Sequence, residues 1–415
     1  MKRTSPQLAG LLVVLVLGAA PAARGDTRTL ARCGEGFLEE VDGYRVLHVK
    51  GTPYEMGFQQ GALLRDEIRE QVHFLFDVKA KEMTFELGGF KLLEPKRIIR
   101  GIAARQRKFI PERFFDEMRG IADGAEMDVQ DIIVAYFIPE MFHCSGFALS
   151  GSATKDGTLY HGRILDYGCD WKLQDHAVLI VAEPKGRIPF VNVTYAGFIG
   201  SVTGMNAERI SIGEMGGRGL GHWDGVPMAL LVRMALEEAD SLDRAIAVFR
   251  DHPRTCEYYY VLADGETGKA VGMEGSWDVF GTIAMGESHP KLPEAIKDAV
   301  VLSAGKRYNE LSRRVKEGRG TFDADSARHL MDRPVAMNSN LHSVLFETTT
   351  TRFWVANASK DGKPAVDQPF HAFQLRDLLT HRPDTTAPAL PAPPADRRGV
   401  PVKVTNLHDQ VSNRD

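Results

Sequence analysis

Cys144-Ser145-Gly146-Phe147-Ala148-Leu149-Ser150 leads through a turn at Lys155-Asp156-Gly157 into Thr158-Leu159-Tyr160-His161-Gly162-Arg163-Ile164-Leu165-Asp166-Tyr167. Two strand-like runs flank an Asp-Gly turn signal, which predicts a β-hairpin. Upstream the periodicity is helical. Thr52-Pro53-Tyr54-Glu55 has the pattern of a helix start, with Thr52 as cap, Pro53 in the first turn and Glu55 in the place of a capping-box carboxylate. The helix is expected to run to about Phe76, with Leu64, Ile68, Val72 and Leu75 on one face and Gly57 and Gly61 leaving room for a close neighbour. Further helical periodicity covers Pro111 to Ala122 and Val129 to Pro139, so the segment before Cys144 reads as a mainly helical cap or pro-segment.

Downstream, strand-like runs come at Ala177 to Ala182, Ile188 to Tyr195, Arg209 to Gly213 and Tyr258 to Ala263, with a helix at about Met228 to Glu238. Ser343 to Phe346 and Thr351 to Ala356 read as a second, terminal hairpin. From Pro383 to Asp415 the chain turns proline-, alanine- and polar-rich, the composition of a disordered tail.

With 415 residues and 43% hydrophobic composition the chain can bury a large core. Its 51 basic and 55 acidic residues give a net charge of -4, which offers no bulk electrostatic attraction to nucleic acid or an anionic membrane. Lys2 and Arg3, the apolar run Leu8 to Ala20 and the small residues to Gly25 read as a secretory signal, placing the mature chain outside the cytoplasm as a secreted or periplasmic protein. That run is shorter than the ~20 residues of a membrane helix, and no integral membrane contact is expected. Cys33, Cys144, Cys169 and Cys256 are too few and scattered for a disulfide scaffold and form no zinc pair, and their pairing is left open.

A thiol is a good nucleophile that needs a base, and a cysteine released as an N-terminus carries one in its own α-amine. That amine, with an ordinary pKa of ~7.7 to 8.0, is partly neutral near neutral pH and can take the thiol proton. The amine exists only if the bond between His143 and Cys144 is cut.

Gly51-Thr-Pro-Tyr-Glu-Met-Gly57, Cys144-Ser-Gly-Phe-Ala148 and Tyr160-His-Gly-Arg-Ile-Leu-Asp-Tyr167 together resemble the choloylglycine hydrolase, acid ceramidase and isopenicillin N acyltransferase group of N-terminal-nucleophile enzymes. The likeness runs from about Tyr44 to Ala356 and is nearest to the autoproteolytic acyltransferase branch. It implies an α+β fold, a four-layer αββα sandwich of two mainly antiparallel sheets with helices outside. By this resemblance Cys144 is the nucleophile, Asp166 holds its amine, and Arg163 stabilises thiolate and carboxylate by charge-assisted hydrogen bonds. Gly204-Met205-Asn206-Ala207-Glu208 resembles the segment whose Asn donates to the oxyanion, which gives Asn206 that role, a donor type worth ~2.7 to 4 kcal/mol of transition-state stabilisation. Ser303-Ala-Gly-Lys-Arg307-Tyr308 resembles the segment that supplies a second arginine, Arg307. Where relatives carry a second oxyanion Asn, this chain departs with Gly286-Glu287-Ser288-His289-Pro290, leaving Ser288 at that place.

Other residues take plainer readings. His143, His161 and His289 lack zinc-ligand spacing, and His143 matters as the residue before the cut. The glycine run Gly213 to Gly221 has no Gly-Lys-Ser/Thr after it and reads as a flexible loop near the substrate mouth. Trp223, Phe280 and Tyr258-Tyr259-Tyr260 read as core packing.

The expected organisation is a signal peptide at 1–25, a helical N-terminal segment at 26–143, a catalytic domain at 144–382 and a tail at 383–415. The expected activity is hydrolysis of a small linear N-acyl amide through an acyl-thioester on Cys144, without cofactor or metal. Its alternatives are acyl transfer to an amine and an inactive secreted binding protein of the same fold. The expected partners are the small substrate and the chain's own cleaved N-terminal segment, with no nucleic acid and with homo-oligomerisation open.

Overall fold

The computed structural model describes residues 27–79, 86–87, 90–91, 95–137, 144–217 and 221–395. The chain opens with a meander of β1 (Thr27–Cys33), β2 (Gly36–Val41) and β3 (Tyr44–Gly51). Five helices follow, α1 (Pro53–Leu63), α2 (Arg65–His73), α3 (Pro95–Gln106), α4 (Glu112–Ala125) and α5 (Val129–Tyr136), with the short pair β4 (Glu86–Leu87) and β5 (Phe90–Lys91) between α2 and α3. From Cys144 onward come the hairpin β6 (Ser145–Gly151) and β7 (Gly157–Asp166), then β8 (Ala177–Pro184), β9 (Phe190–Tyr195), β10 (Thr203–Asn206) and β11 (Ile210–Gly216). Helices α6 (Met228–Glu238) and α7 (Leu242–Asp251) lead to β12 (Tyr258–Asp264), β13 (Lys269–Gly275), β14 (Phe280–Ala284) and β15 (Ala299–Leu302). The chain continues through α8 (Gly305–Glu317), α9 (Ala324–Arg328), β16 (Asn340–Glu347), β17 (Arg352–Asn357), β18 (His371–Gln374), α10 (Leu375–Leu378) and β19 (Ala389–Leu390).

Among the described residues two large sheets form, an 11-stranded one in the order β14-β13-β12-β11-β10-β9-β8-β3-β2-β1-β19 and a 6-stranded one in the order β15-β6-β7-β16-β17-β18. Their facing sides interdigitate through residues such as Val46, Leu179 and Val193 on the large sheet and Val344, Phe346 and Val355 on the small one. Strand alternation sends the other faces outward. Phe147, Leu149, Ile164 and Leu345 meet Leu311 and Val315 of α8, while Met56, Phe114, Met118 and Leu231 cover the large sheet. The four-layer αββα sandwich follows from that alternation. No helix among the described residues is long and apolar enough to cross a membrane.

The capping box at Thr52 and Glu55 is present, Glu55 Oε2 accepting from Thr52 N at 2.8 Å. The helix does not run unbroken to Phe76. Leu64, fully buried with φ -123° and ψ 32°, separates α1 from α2 and lets Ile68 and Val72 turn into the core on a new axis. The segment before Cys144 is mainly helical but begins with three strands; Tyr44, Val46 and Phe37, Leu38 are buried strand residues that the helical reading passed over. β3 pairs in parallel with β8, so the start of the chain is part of the large sheet. The tail boundary also shifts. Leu390 pairs with Cys33 and Ala389 with Arg32, so part of the stretch expected as tail adds a strand to β1, and 396–415 and 1–25 lie outside the described residues.

Helices α1 and α4 cross in near contact because each offers two glycines one turn apart. A Cβ on Gly57 would lie 2.0 Å from Glu117 O, and one on Gly120 would lie 2.2 Å from Tyr54 O. Gly120→Ala is therefore expected to lower the unfolding free energy by about 1–3 kcal/mol through overpacking. Gly101→Ala in α3, where a Cβ meets nothing within 4 Å, should instead be neutral or stabilising by up to ~1 kcal/mol. Denaturant midpoints of the two variants test this, and equal shifts would refute the close-packing account.

Candidate active site

Cys144 stands just before β6, buried at 6% exposure, on the sheet face that looks toward β11. The same face of β7 carries His161, Arg163 and Leu165, so the hairpin brings Arg163 beside the cysteine. Arg163 is fully buried. Its charge acts on the Cys144 thiol, and it donates through Nη1 to Ile164 O at 2.5 Å and reaches Glu214 Oε2 at 3.4 Å. Burial raises the thiol's pKa against the pull of Arg163, and a backbone N–H from Asp166 also favours the thiolate.

Asp166 closes the other side. Its Oδ1 accepts from Met337 N at 3.0 Å, and its Oδ2 pairs with Arg307 Nη2. Burial pushes the Asp166 carboxyl up while Arg307 holds it down. Arg307 sits in the first turn of α8, donating from Nε to Val335 O at 2.6 Å and from Nη2 to Ser145 Oγ at 2.7 Å. Ser145 Oγ in turn shares 2.7 Å with Ser303 Oγ. Two arginines and one aspartate thus bracket the thiol from both sheet and helix.

A cavity of about 460 Å³ opens beside Cys144, with Arg307 and Ser303 at one side, Met215, Met273 and Leu302 as apolar wall, and Glu274 and Lys291 farther out. Tyr259 also lines it, contrary to the reading of that residue as core. Tyr260 is core, and Trp223 lines a separate small pocket. His289 lines the cavity, whereas Ser288 is exposed and outside it.

Asn206 is not brought to the site. Both of its Nδ2 hydrogens are donated to the end of α6 and beyond, to Leu236 O at 3.0 Å and Ala239 O at 2.7 Å, and its Oδ1 accepts from Ile210 N at 2.9 Å. It lies beside Ile210, five residues along β11 from the cavity-lining Met215, roughly 17 Å at the strand rise. The turn-and-cap demands of the β10–β11 connection consume all its hydrogen-bonding groups. His143 lies outside the described residues. His161 is a buried residue bonded to Ser211 Oγ at 2.8 Å.

Glu214 is the residue that the sequence reading missed. The glycine run was read as a loop, but Gly213 to Gly216 belong to β11, which drives Glu214 fully into the interior. Burial raises its carboxyl pKa against the attraction of Arg163, and its Oε1 has no hydrogen-bond partner among the described residues. The available signal was the pair Ile210 and Ile212, whose alternation continues through Glu214 and marks an acid on a buried face. The cysteines are all free thiols, and Cys144 is the one that lines the cavity.

A family model described as "Acyl-coenzyme A:6-aminopenicillanic acid acyl-transferase" matches residues 152–279. An uncharacterized protein of Archaeoglobus fulgidus is 26% identical over 394 residues, covering 78% of this chain and 64% of its own length. The N-acylethanolamine-hydrolyzing acid amidase of Mus musculus is 28% identical over 174 residues, 39% of this chain and 46% of its own. A solved Caenorhabditis elegans ortholog of that amidase aligns with TM-score 0.40 and 19% identity over 50% of this chain and 93% of that chain. The chain therefore spans less than two thirds of these curated relatives. A buried cysteine at the start of a sandwich strand, with the arginine and aspartate of the next strand around it, accompanies these likenesses, and the chain is similar to the penicillin acyltransferase family over residues 152–279 and to the acid amidases over part of its length.

Proposed function

We propose that this chain is a self-cleaving cysteine amidase that hydrolyses a linear N-acyl amide through an acyl-thioester on Cys144. The observation that carries the reading is the Cys144 thiol at the wall of a cavity of about 460 Å³, with the fully buried Arg163 acting on it electrostatically. In the uncut chain the thiol is held protonated by burial and needs a proton acceptor before it can attack the carbonyl of residue 143. Glu214, a buried carboxyl whose Oε1 has no hydrogen-bond partner among the described residues and whose charge acts on the thiol, supplies that acceptor. The attack forms a thioester and frees the α-amine of Cys144; water then hydrolyses the thioester, restoring the thiol and leaving residue 143 with a free carboxylate. The amine afterwards serves as base for each turnover, and the Asp166 carboxylate, itself fixed by Arg307 and Met337, holds it.

The substrate's acyl part fits the wall of Met215, Met273 and Leu302, and its amine part the polar rim of Glu274 and Lys291. The mouse relative's name, an N-acylethanolamine-hydrolyzing acid amidase, supports the amide class. The family description supports the second reading, transfer of the acyl group to an amine in place of water. The leader-like residues 1–25 support export and the use of water as acceptor.

Cys144→Ala is expected to remain a single uncut chain with no turnover of N-acyl amides, read by intact mass and by released fatty acid; a cut or active variant would end the assignment. Incubating the wild type with substrate and a free amine, and weighing released acid against new amide, decides between water and amine.

Glu214→Gln should slow self-cleavage by about 10²-fold. A gel time course after refolding follows the uncut band, and a rate equal to wild type would remove Glu214 as the proton acceptor. Asn206→Ala should behave differently from both. It leaves buried partners unsatisfied, at about 1–3 kcal/mol of stability. The folded fraction should keep its kcat, without the ~10²- to 10³-fold loss that follows removal of an oxyanion donor. Stability and steady-state kinetics measured together separate the two outcomes.

A further inference from the structure

Away from the active site, three side chains with metal-binding atoms converge where the first strands meet the end of the described chain. Glu39 on β2 and His48 on β3 are diagonal neighbours on one sheet face, since Glu39 pairs with Val46 and Phe37 with His48. His381, just after α10, folds back onto the same face. Glu39 Oε1 lies 2.9 Å from His48 Nε2 and 2.7 Å from His381 Nδ1. All three donor atoms lie within 4.8 Å of one another.

The group is fixed from behind and open in front. Glu39 is 1% exposed and His48 6%, and the His48 ring is stacked on Phe37 with centroids 4.0 Å apart and planes 7° from parallel. His381 N donates to Leu378 O at 3.1 Å, and its side chain keeps 21% exposure, which provides a path for an ion. Among the described residues the ionisable side chains bonded to Glu39 are these two imidazoles, with neither Lys nor Arg paired to it. A carboxylate this far from water normally has a full counter-charge.

We propose that Glu39, His48 and His381 form a site for a divalent transition ion of the Zn2+ class, with water as fourth ligand. Two imidazole nitrogens and one carboxylate oxygen suit a borderline ion rather than Ca2+ or Mg2+, which take oxygen donors. Tetrahedral bonds of ~2.0–2.1 Å set donors about 3.3 Å apart, so the hydrogen-bonded pairs at 2.9 Å and 2.7 Å need to open by about half an ångström. The bound ion clasps two parts of the chain 342 residues apart, β2 and the segment that leads to β19. Such a separation hides the site from any reading of sequence spacing. The inference is independent of the chemistry at Cys144.

The test uses the full chain carrying Cys144→Ala, so that the active-site thiol does not bind metal, dialysed against a chelator and then titrated with ZnCl2 or CoCl2. The expected results are about one Zn2+ per chain, a thermal midpoint that rises on Zn2+ addition, and visible Co2+ bands of a four-coordinate N/O site. Adding Glu39→Gln or His381→Ala should weaken Zn2+ binding at least tenfold and abolish the midpoint shift. His381→Asn, a milder change at a partly exposed position, repeats the test if His381→Ala misfolds. Absence of saturable binding by the parent, or equal binding by the folded variants, would overturn the proposal and leave the group as a metal-free hydrogen-bonded cluster.

Discussion

The buried guanidinium of Arg163 sets the terms for everything around it. A cation fully out of water costs many kcal/mol unless its charge and all its N–H groups are answered within the protein. Here the answers are Ile164 O, Val202 O, Glu214 and the Cys144 sulfur, drawn from β7, β11, the approach to β10 and the start of β6. Both sheets therefore contribute to one charge cluster, and their relative placement is specified by polar contacts as well as by apolar packing. Gly213 is part of that arrangement. A Cβ there would sit 2.9 Å from Arg163 Cδ, so any larger residue displaces the guanidinium stem.

The polar character of the inter-sheet layer extends beyond the site. His342 bridges Tyr195 OH at 3.0 Å and Thr203 Oγ1 at 2.8 Å, and His161 bonds Ser211, whose hydroxyl lies 3.2 Å from that of Thr348. Burial and the nearby Arg163 hold both histidines below their ordinary pKa, so they are neutral hydrogen-bonding groups rather than additional cations. That neutrality matters for the thiol. Among the described residues Arg163 is the cation that favours the Cys144 thiolate, while burial, Glu214 and Asp166 oppose it, so a proton acceptor is required to generate it.

How far the sequence was legible follows from the range of each signal. Local signals were readable: the Thr52–Glu55 capping box, the helix Met228–Glu238 and the β6–β7 hairpin depend on neighbours a few residues away. Cys144, Arg163 and Asp166 were readable as a group because one hairpin brings them together, and Arg307 was reachable through its segment's likeness to relatives. Asn206 misled because a turn asparagine and an oxyanion asparagine look alike in sequence, and only the partners Leu236 and Ala239, about thirty residues on, separate them. Glu214 was hidden by the glycines on either side, which suggested a loop where a strand needed thin residues beside a buried arginine. β1 to β3 were missed because a neighbouring strong helix signal was extended over the whole segment, and β19 because two residues paired with a distant strand carry no periodicity.

The peptide bond before Cys144 divides the chain in covalent terms but not in packing. β3 and β8, on opposite sides of that bond, are hydrogen-bonded neighbours within the large sheet. Glu117 of α4 faces Arg233 of α6 at 3.2 Å, Arg233 also binds Glu237 at 2.8 Å, and Arg113 reaches Glu238 at 2.8 Å, so a buried charge network crosses the same divide. Separating the two sides would expose a sheet edge and leave buried charges without partners, each a cost of several kcal/mol. The proposed scission therefore has no need of a covalent link to keep the upstream segment in place. What the cut changes is local: it converts an amide nitrogen at the edge of β6 into an amine beside Asp166, within a scaffold whose other contacts are already complete.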